Sequence, residues 1–219
     1  MAVIYLGHGV SHSKRPGSPL IILNNYSGDG QSVMEAAERA EGKDFNLLCV
    51  GNLNWDHDMS PWYCPPLSPK DMPFSGGADE YLKLLLDDIL PECLKRVDLA
   101  PSHISIAGYS LAGLFALYAL YHTDVFQSAA SMSGSLWFPN FKEYVFSHEM
   151  KRKPKKLYLS LGDKEARTRN PYMRAVQDNT ESMVKHFRDA GIDVTLEMNP
   201  GNHFKDAAIR SAKGILAII

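Results

Sequence analysis

The sequence predicts an α/β fold, a mostly parallel sheet with helices on both faces. Three observations carry this. Short apolar runs alternate along the chain with longer helix-like runs, the order of a doubly wound sheet. The apolar runs are near-continuous instead of alternating, as in strands buried on both faces. A length of 219 residues with 45% hydrophobic content supplies one sizeable core, so one domain is expected over residues 1–219.

The segment MAVIYLGHGV has a brief apolar run, no basic leader and no small-residue cleavage pattern, and is expected to be a first strand. PLIILN (Pro19 to Asn24), FNLLCVG (Phe45 to Gly51), HISIAG (His103 to Gly108), QSAASMSG (Gln127 to Gly134), KLYLSLG (Lys156 to Gly162) and DVTLEM (Asp193 to Met198) follow as strands. Between them, SVMEAAERAEG, DEYLKLLLDDILPECLKRV, LAGLFALYALYHT and NPYMRAVQDNTESMVKHFRDAG have helical periodicity. GILAII at the end fits either a buried last helix or an exposed apolar contact. One long loop, Asn52 to Gly77, interrupts the alternation with two tryptophans and five prolines. A loop of this length is functional or disordered, and its aromatic content favours an ordered wall. In parallel sheets active sites form at the carboxyl ends of the strands, so chemistry is sought there.

The formal net charge of −2 gives no electrostatic pull toward nucleic acid or an anionic membrane, and no apolar stretch is long enough to span a bilayer. Cys49, Cys64 and Cys93 form no CxxC pair, which argues against a disulfide framework or a zinc site and fits a reducing cytoplasm. Cys49 in a strand and Cys93 in a helix are expected to be inert buried thiols; Cys64 is undecided.

The stretch IAGYSLAG places Ser110 where a strand gives way to a helix. A nucleophilic serine on such a sheet stands on a sharp turn that tolerates only small residues two positions to either side. Gly108 and Ala112 meet that requirement, with alanine in place of the second glycine of G-x-S-x-G and Gly113 next. The bland alternative is a helix-capping serine. A serine nucleophile needs a base, and the base needs an acid, in the chain order serine, acid, histidine. His8, His12, His57 and His103 precede Ser110, whereas His122, His148 and His186 fall in helical or polar stretches. His203, in NPGNHF after the last clear strand, is left as the base. The acid is expected in LGDKE, as Asp163 or Glu165. Glu165 is preferred, because the acid partner on this fold commonly lies three residues after the glycine that ends the strand, here Gly162.

With IILNNYSGDG, GYSLAG, FQSAASMSGSLWF, LGDKE and the terminal NHF, the chain resembles the putative esterase family of α/β-hydrolases. That family is similar to esterase D, feruloyl esterases, siderophore esterases and mycolyltransferases. The likeness runs from Pro19 nearly to the end, and NWDHDMSPW resembles a subgroup of small hydrolases with no separate cap domain. It implies a serine hydrolase of small carboxylic esters that needs no cofactor, with Ser110, Glu165 and His203 on the catalytic positions. The oxyanion donors would be the backbone N–H groups of Tyr26 and Leu111. The family's His-Gly or Asp-Gly pair is Asn24-Asn25 here, and His8-Gly9 is a decoy that precedes the strand concerned. Trp55, Trp62 and Trp137 are candidate walls of an acyl or alcohol pocket, with core packing as the alternative. Asp56, His57 and Asp58 are adjacent and not expected to hold a metal. Lys14-Arg15 and Lys151-Arg152-Lys153 are accounted for by a solvated surface. Two other functions share the fold: an acyltransferase using the same acyl-enzyme, and a non-catalytic binding protein.

Overall fold

The computed structural model describes residues 3–8, 17–40, 43–97 and 100–219. Gly9, His12, Lys14 and Arg15 therefore lie outside the described residues. A seven-stranded sheet runs in the order β1 (Val3–His8), β3 (Asn46–Gly51), β2 (Leu20–Asn24), β6 (Ile104–Tyr109), β7 (Phe126–Met132), β8 (Lys156–Gly162) and β9 (Asp193–Asn199). Every pairing is parallel except β1 with β3.

Successive strand residues point to opposite faces, and both faces are covered. Leu20 and Ile22 of β2 join a core with Leu48, Ile106 and the helix α5 (Leu111–His122), whereas Ile21 and Leu23 join a second with α1 (Gly30–Arg39) and α9 (Ala207–Ala217). This explains why the runs 20–23 of β2 and 47–50 of β3 are apolar without a break instead of alternating. The helix α5 is apolar on all sides because its neighbours enclose it. GILAII belongs to α9 and the residues after it, with Ile215 and Ile218 buried.

The expected helix over residues 79–97 is interrupted. α3 (Ala78–Leu84) passes through a wider π-helical turn, Leu85–Ile89, into α4 (Leu90–Val97). Pro91 has no N–H for the carbonyl of Asp87 and its ring would crowd it, so the chain widens just before the proline and Leu90 N–H bonds to the Leu85 carbonyl. The loop from Asn52 to Gly77 is ordered as a short helix, α2 (Trp55–Asp58), and a hairpin of β4 (Tyr63–Cys64) and β5 (Phe74–Ser75). Met59, Cys64 and Phe74 anchor it in the core. α6 (Phe141–Ser147), α7 (Pro171–Arg174) and α8 (Val176–Asp189) complete the helices. Among the described residues no helix is long and apolar enough to cross a membrane.

Candidate active site

β6 meets α5 at Ser110, whose backbone sits at φ +62° and ψ −124°. A non-glycine residue held there stores about 1–3 kcal/mol of strain. The turn is closed so tightly that a Cβ on Gly108 would lie 2.0 Å from the Ala112 carbonyl oxygen. It is held from both sides: Ser110 N–H donates to the Met132 carbonyl (3.1 Å), and the Ser110 carbonyl accepts from Gly113, Leu114 and Ser135 N–H. The hydroxyl is thereby fixed at the carboxyl edge of the sheet.

Glu165 follows β8 in a turn whose N–H bonds to the Gly162 carbonyl (3.0 Å). Its side chain is 5% exposed. Oε1 accepts from Gly162 N–H (2.5 Å), the Ser133 hydroxyl (2.7 Å) and the Arg210 guanidinium (3.3 Å), and Oε2 lies 2.8 Å from His203 Nδ1. Burial pushes its carboxyl up, but the hydrogen bonds from His203, Gly162 and Ser133 outweigh it and hold the group below the ordinary carboxylate value. Glu165 is therefore a carboxylate at neutral pH. Asp163 turns away: its Oδ1 accepts from Gly201 N–H at 2.7 Å, tying the loop of Glu165 to the loop of His203.

That second loop leaves β9 through Gly201, at φ +111°, a conformation that glycine adopts without strain. His203 Nε2 lies 3.0 Å from Ser110 Oγ. Because a carboxylate only accepts, His203 Nδ1 carries the proton and donates to Glu165, which leaves Nε2 to accept from the Ser110 hydroxyl. The Tyr109 hydroxyl donates to the His203 carbonyl at 2.7 Å. Such a chain can take a proton from the serine and stabilise the imidazolium that results.

Two clefts meet at this chain, and Ser110, His203 and Phe204 line both. The first, of about 550 Å³, is walled by Asn25, Tyr26, Trp55 and Tyr109. The second, of about 570 Å³, is walled by Leu111, Trp137 and the loop residues Leu67, Met72 and Phe74. Tyr26 is at the tip of the β2–α1 turn, which Asn25 closes by accepting the N–H of Gly28 at its carbonyl and of Ser27 at its side chain. Asn24 is buried, its Oδ1 accepting from the Tyr81 hydroxyl at 2.5 Å. The exposed ring of Tyr26 meets Trp55 edge-on at 5.3 Å.

Trp62 is a correction to the expected pocket wall. It packs among Tyr118, Phe138, Phe141 and Tyr144, and its indole N–H donates to the Pro139 carbonyl at 3.0 Å. Half-buried, its ring packs against the core, away from both clefts. His57 Nδ1 lies 2.7 Å from Ser75 Oγ, and Asp58 accepts from Asn54 N–H at 2.8 Å. Cys49, Cys64 and Cys93 are buried and in no disulfide, with burial pushing Cys49 up to about 12 and Cys64 upward as well. Sequence reasoning missed Ser133, Tyr109 and Arg210, which surround Glu165 and His203. The one signal for Arg210 is its place on the helix face shared with Gly214, a turn away.

The family model described as "Putative esterase" matches residues 3–207. The uncharacterized protein YbbA of Bacillus subtilis (strain 168) is 24% identical over 182 residues, 80% of this chain and 73% of that protein. Among solved structures, the siderophore hydrolase EstA from Aspergillus nidulans superposes with a TM-score of 0.74 at 21% identity, over 91% of this chain and 82% of that one. An IroE-like serine hydrolase from Shewanella oneidensis superposes with a TM-score of 0.77 at 18% identity, over 98% and 73% of the two chains. At these identities the solved structures bear on the fold and the family match bears on the chemistry. The chain belongs to the putative esterase family and is a carboxylic-ester hydrolase of the α/β-hydrolase fold.

Proposed function

We propose that the chain, as one domain over residues 1–219, cleaves carboxylic esters of small molecules by double displacement through an acyl-enzyme on Ser110. The observation that carries this is the hydrogen-bonded chain Ser110–His203–Glu165, with links of 3.0 and 2.8 Å. Ser110 Oγ attacks the ester carbonyl as His203 Nε2 takes its proton. Charge then develops on the carbonyl oxygen, where the backbone N–H groups of Tyr26 and Leu111 receive it; one such donor is worth about 3 kcal/mol. The tetrahedral intermediate collapses, His203 returns the proton to the departing alcohol oxygen, and the acyl group stays on Ser110. Water, deprotonated by His203, attacks the acyl carbon; a second collapse frees the acid and restores Ser110. Glu165 holds the tautomer of His203 and offsets the imidazolium charge. No step draws on a cofactor. The two clefts provide separate room for the acyl and alcohol halves of a small ester. Three buried cysteines in no disulfide fit a reducing compartment, and we assign the protein to the cytoplasm.

Rapid mixing with p-nitrophenyl butyrate tests the acyl-enzyme. The expected result is a butyryl mass increment on the Ser110 peptide that decays with turnover and is missing in Ser110→Ala. An increment on another residue, or wild-type turnover by Ser110→Ala, contradicts it.

A further inference from the structure

Beneath Ser110, His203 and Glu165 lies a second charge. Arg210 projects from α9 to the carboxyl ends of the strands with its side chain 2% exposed. α9 packs tightly enough on the sheet that a Cβ on Gly214 would lie 2.5 Å from Met132 Sδ, which brings Arg210, one turn earlier, to the edge of the site. One guanidinium nitrogen is shared among Glu165 Oε1 (3.3 Å), Ser133 Oγ (3.1 Å) and the Tyr109 hydroxyl (3.4 Å). The other donates to the Pro200 carbonyl at 3.1 Å. Arg210 thus touches the acid itself, the strand end beside it, the start of the histidine loop, and the tyrosine that holds the His203 carbonyl. A Cβ on Gly162 would lie 2.3 Å from the Gly201 carbonyl oxygen and 3.1 Å from this guanidinium, which accounts for glycine at the end of β8.

We propose that Arg210 is a positioning residue that fixes Glu165 and the His203 loop relative to each other and keeps Glu165 charged in the resting enzyme. This inference rests on the proposed roles of Ser110, His203 and Glu165. Hydrogen bonds from His203, Gly162 and Ser133 already favour the buried carboxylate, and the buried guanidinium 3.3 Å from its Oε1 adds a full positive charge before His203 has taken a proton. An uncompensated buried carboxylate lowers its cost by taking a proton, and a protonated Glu165 no longer orients Nδ1. Arginine suits the place, since it stays charged and presents several donors in a rigid fork, whereas lysine is a single-point donor. The titratable and charged groups around the guanidinium are Glu165 from the turn after β8, Tyr109 from β6 and His203 from the loop after β9. Lys213, one turn along α9, is paired with Glu197 of β9, which also accepts from the Tyr158 hydroxyl. Burial pushes the phenol of Tyr109 up, so it stays a donor across the working pH range.

The test measures kcat and KM for p-nitrophenyl acetate from pH 5 to 9 in the wild type, Arg210→Met, Arg210→Lys and Tyr109→Phe, per active site titrated with a fluorophosphonate. Removing a positive charge favours protonation of every nearby group, so Arg210→Met should move the acid limb of kcat/KM to higher pH. It should also lower kcat about 100-fold, the cost of a misplacement of about 1 Å, with KM little changed. Arg210→Lys should keep the acid limb near the wild-type position while kcat stays depressed, and Tyr109→Phe should lower kcat without moving the limb. If Arg210→Met does not fold, Arg210→Gln, which removes the charge but keeps a polar side chain in the buried site, takes its place in the same comparison. Folded Arg210 variants with wild-type kcat per titrated site and an unmoved acid limb overturn the proposal. So does activity lost only in proportion to folded protein. Failure of the underlying triad roles is distinct: the wild type itself would then not label at Ser110.

Discussion

Glu165 and Asp163 are two residues apart and both are acidic, yet the structure separates them by their partners. Glu165 meets the ring of His203, while Asp163 meets the backbone of Gly201. Glu165→Gln is therefore expected to lower kcat on the order of 10⁴-fold, as an amide in place of the acid misorients the histidine. Asp163→Asn keeps an oxygen to accept the Gly201 N–H and should cost at most about 10-fold; steady-state kinetics with a p-nitrophenyl ester compares them. Glu165 also makes stability depend on pH. Its folded value is below the unfolded one, so its contribution is fully present above the unfolded value of about 4.3 and is lost as pH falls through the lower folded value. Urea unfolding between pH 3 and 6 should show a larger acid loss in the wild type than in Glu165→Gln, in which Asp29 and Glu197, also held below their ordinary values, still contribute. At Ser110 the cost is in the backbone. Ser110→Gly relieves the strained turn and is expected to be about 1 kcal/mol more stable than Ser110→Ala in thermal unfolding, both variants being inactive.

At the level of elements, the loop from Asn52 to Gly77 does two jobs with its two tryptophans. Trp55 stays at the mouth of the first cleft, edge-on to Tyr26. Trp62, half-buried beside the β4–β5 hairpin, packs against the core around α5 and α6. Trp62→Ala should therefore cost about 3 kcal/mol in urea unfolding and leave turnover of acetyl esters near the wild-type value; a stable variant with altered selectivity would return Trp62 to the pocket. The sequence could not separate these tryptophans. The strands of the hairpin are two residues long, too short for alternation to show which way a ring points. The same limit hid the π-helical turn at Leu85–Ile89, because its apolar spacing is nearly that of the helix around it. By contrast, β8 was legible to the residue, since a strand buried on both faces and ended by an obligatory glycine marks its own boundary.

Across the whole molecule, the parallel sheet gathers the ends of β6, β8 and β9 at one edge, and that edge is where Ser110, Glu165 and His203 meet. Each of the three was legible because each sits in a local pattern directly after a strand. Arg210 was not: the helix face it shares with Gly214 is too weak a signal to set the arginine of AAIRSAKG apart from a solvated helix residue until α9 is laid on the sheet. The gathered residues divide the surface into two clefts, with Trp55 in one and Trp137 in the other. Trp55→Ala should change selectivity by about 10-fold along a series that varies one half of the ester, and Trp137→Phe along the series that varies the other. If both act on the same half, the two-cleft division is wrong. The central claim is that this edge activates Ser110, and it is tested most directly by mass spectrometry after exposure to a fluorophosphonate. A single adduct on Ser110, lost in Ser110→Ala and in His203→Ala, is the predicted result. Native, folded protein that takes no adduct, or takes it elsewhere, would contradict the account.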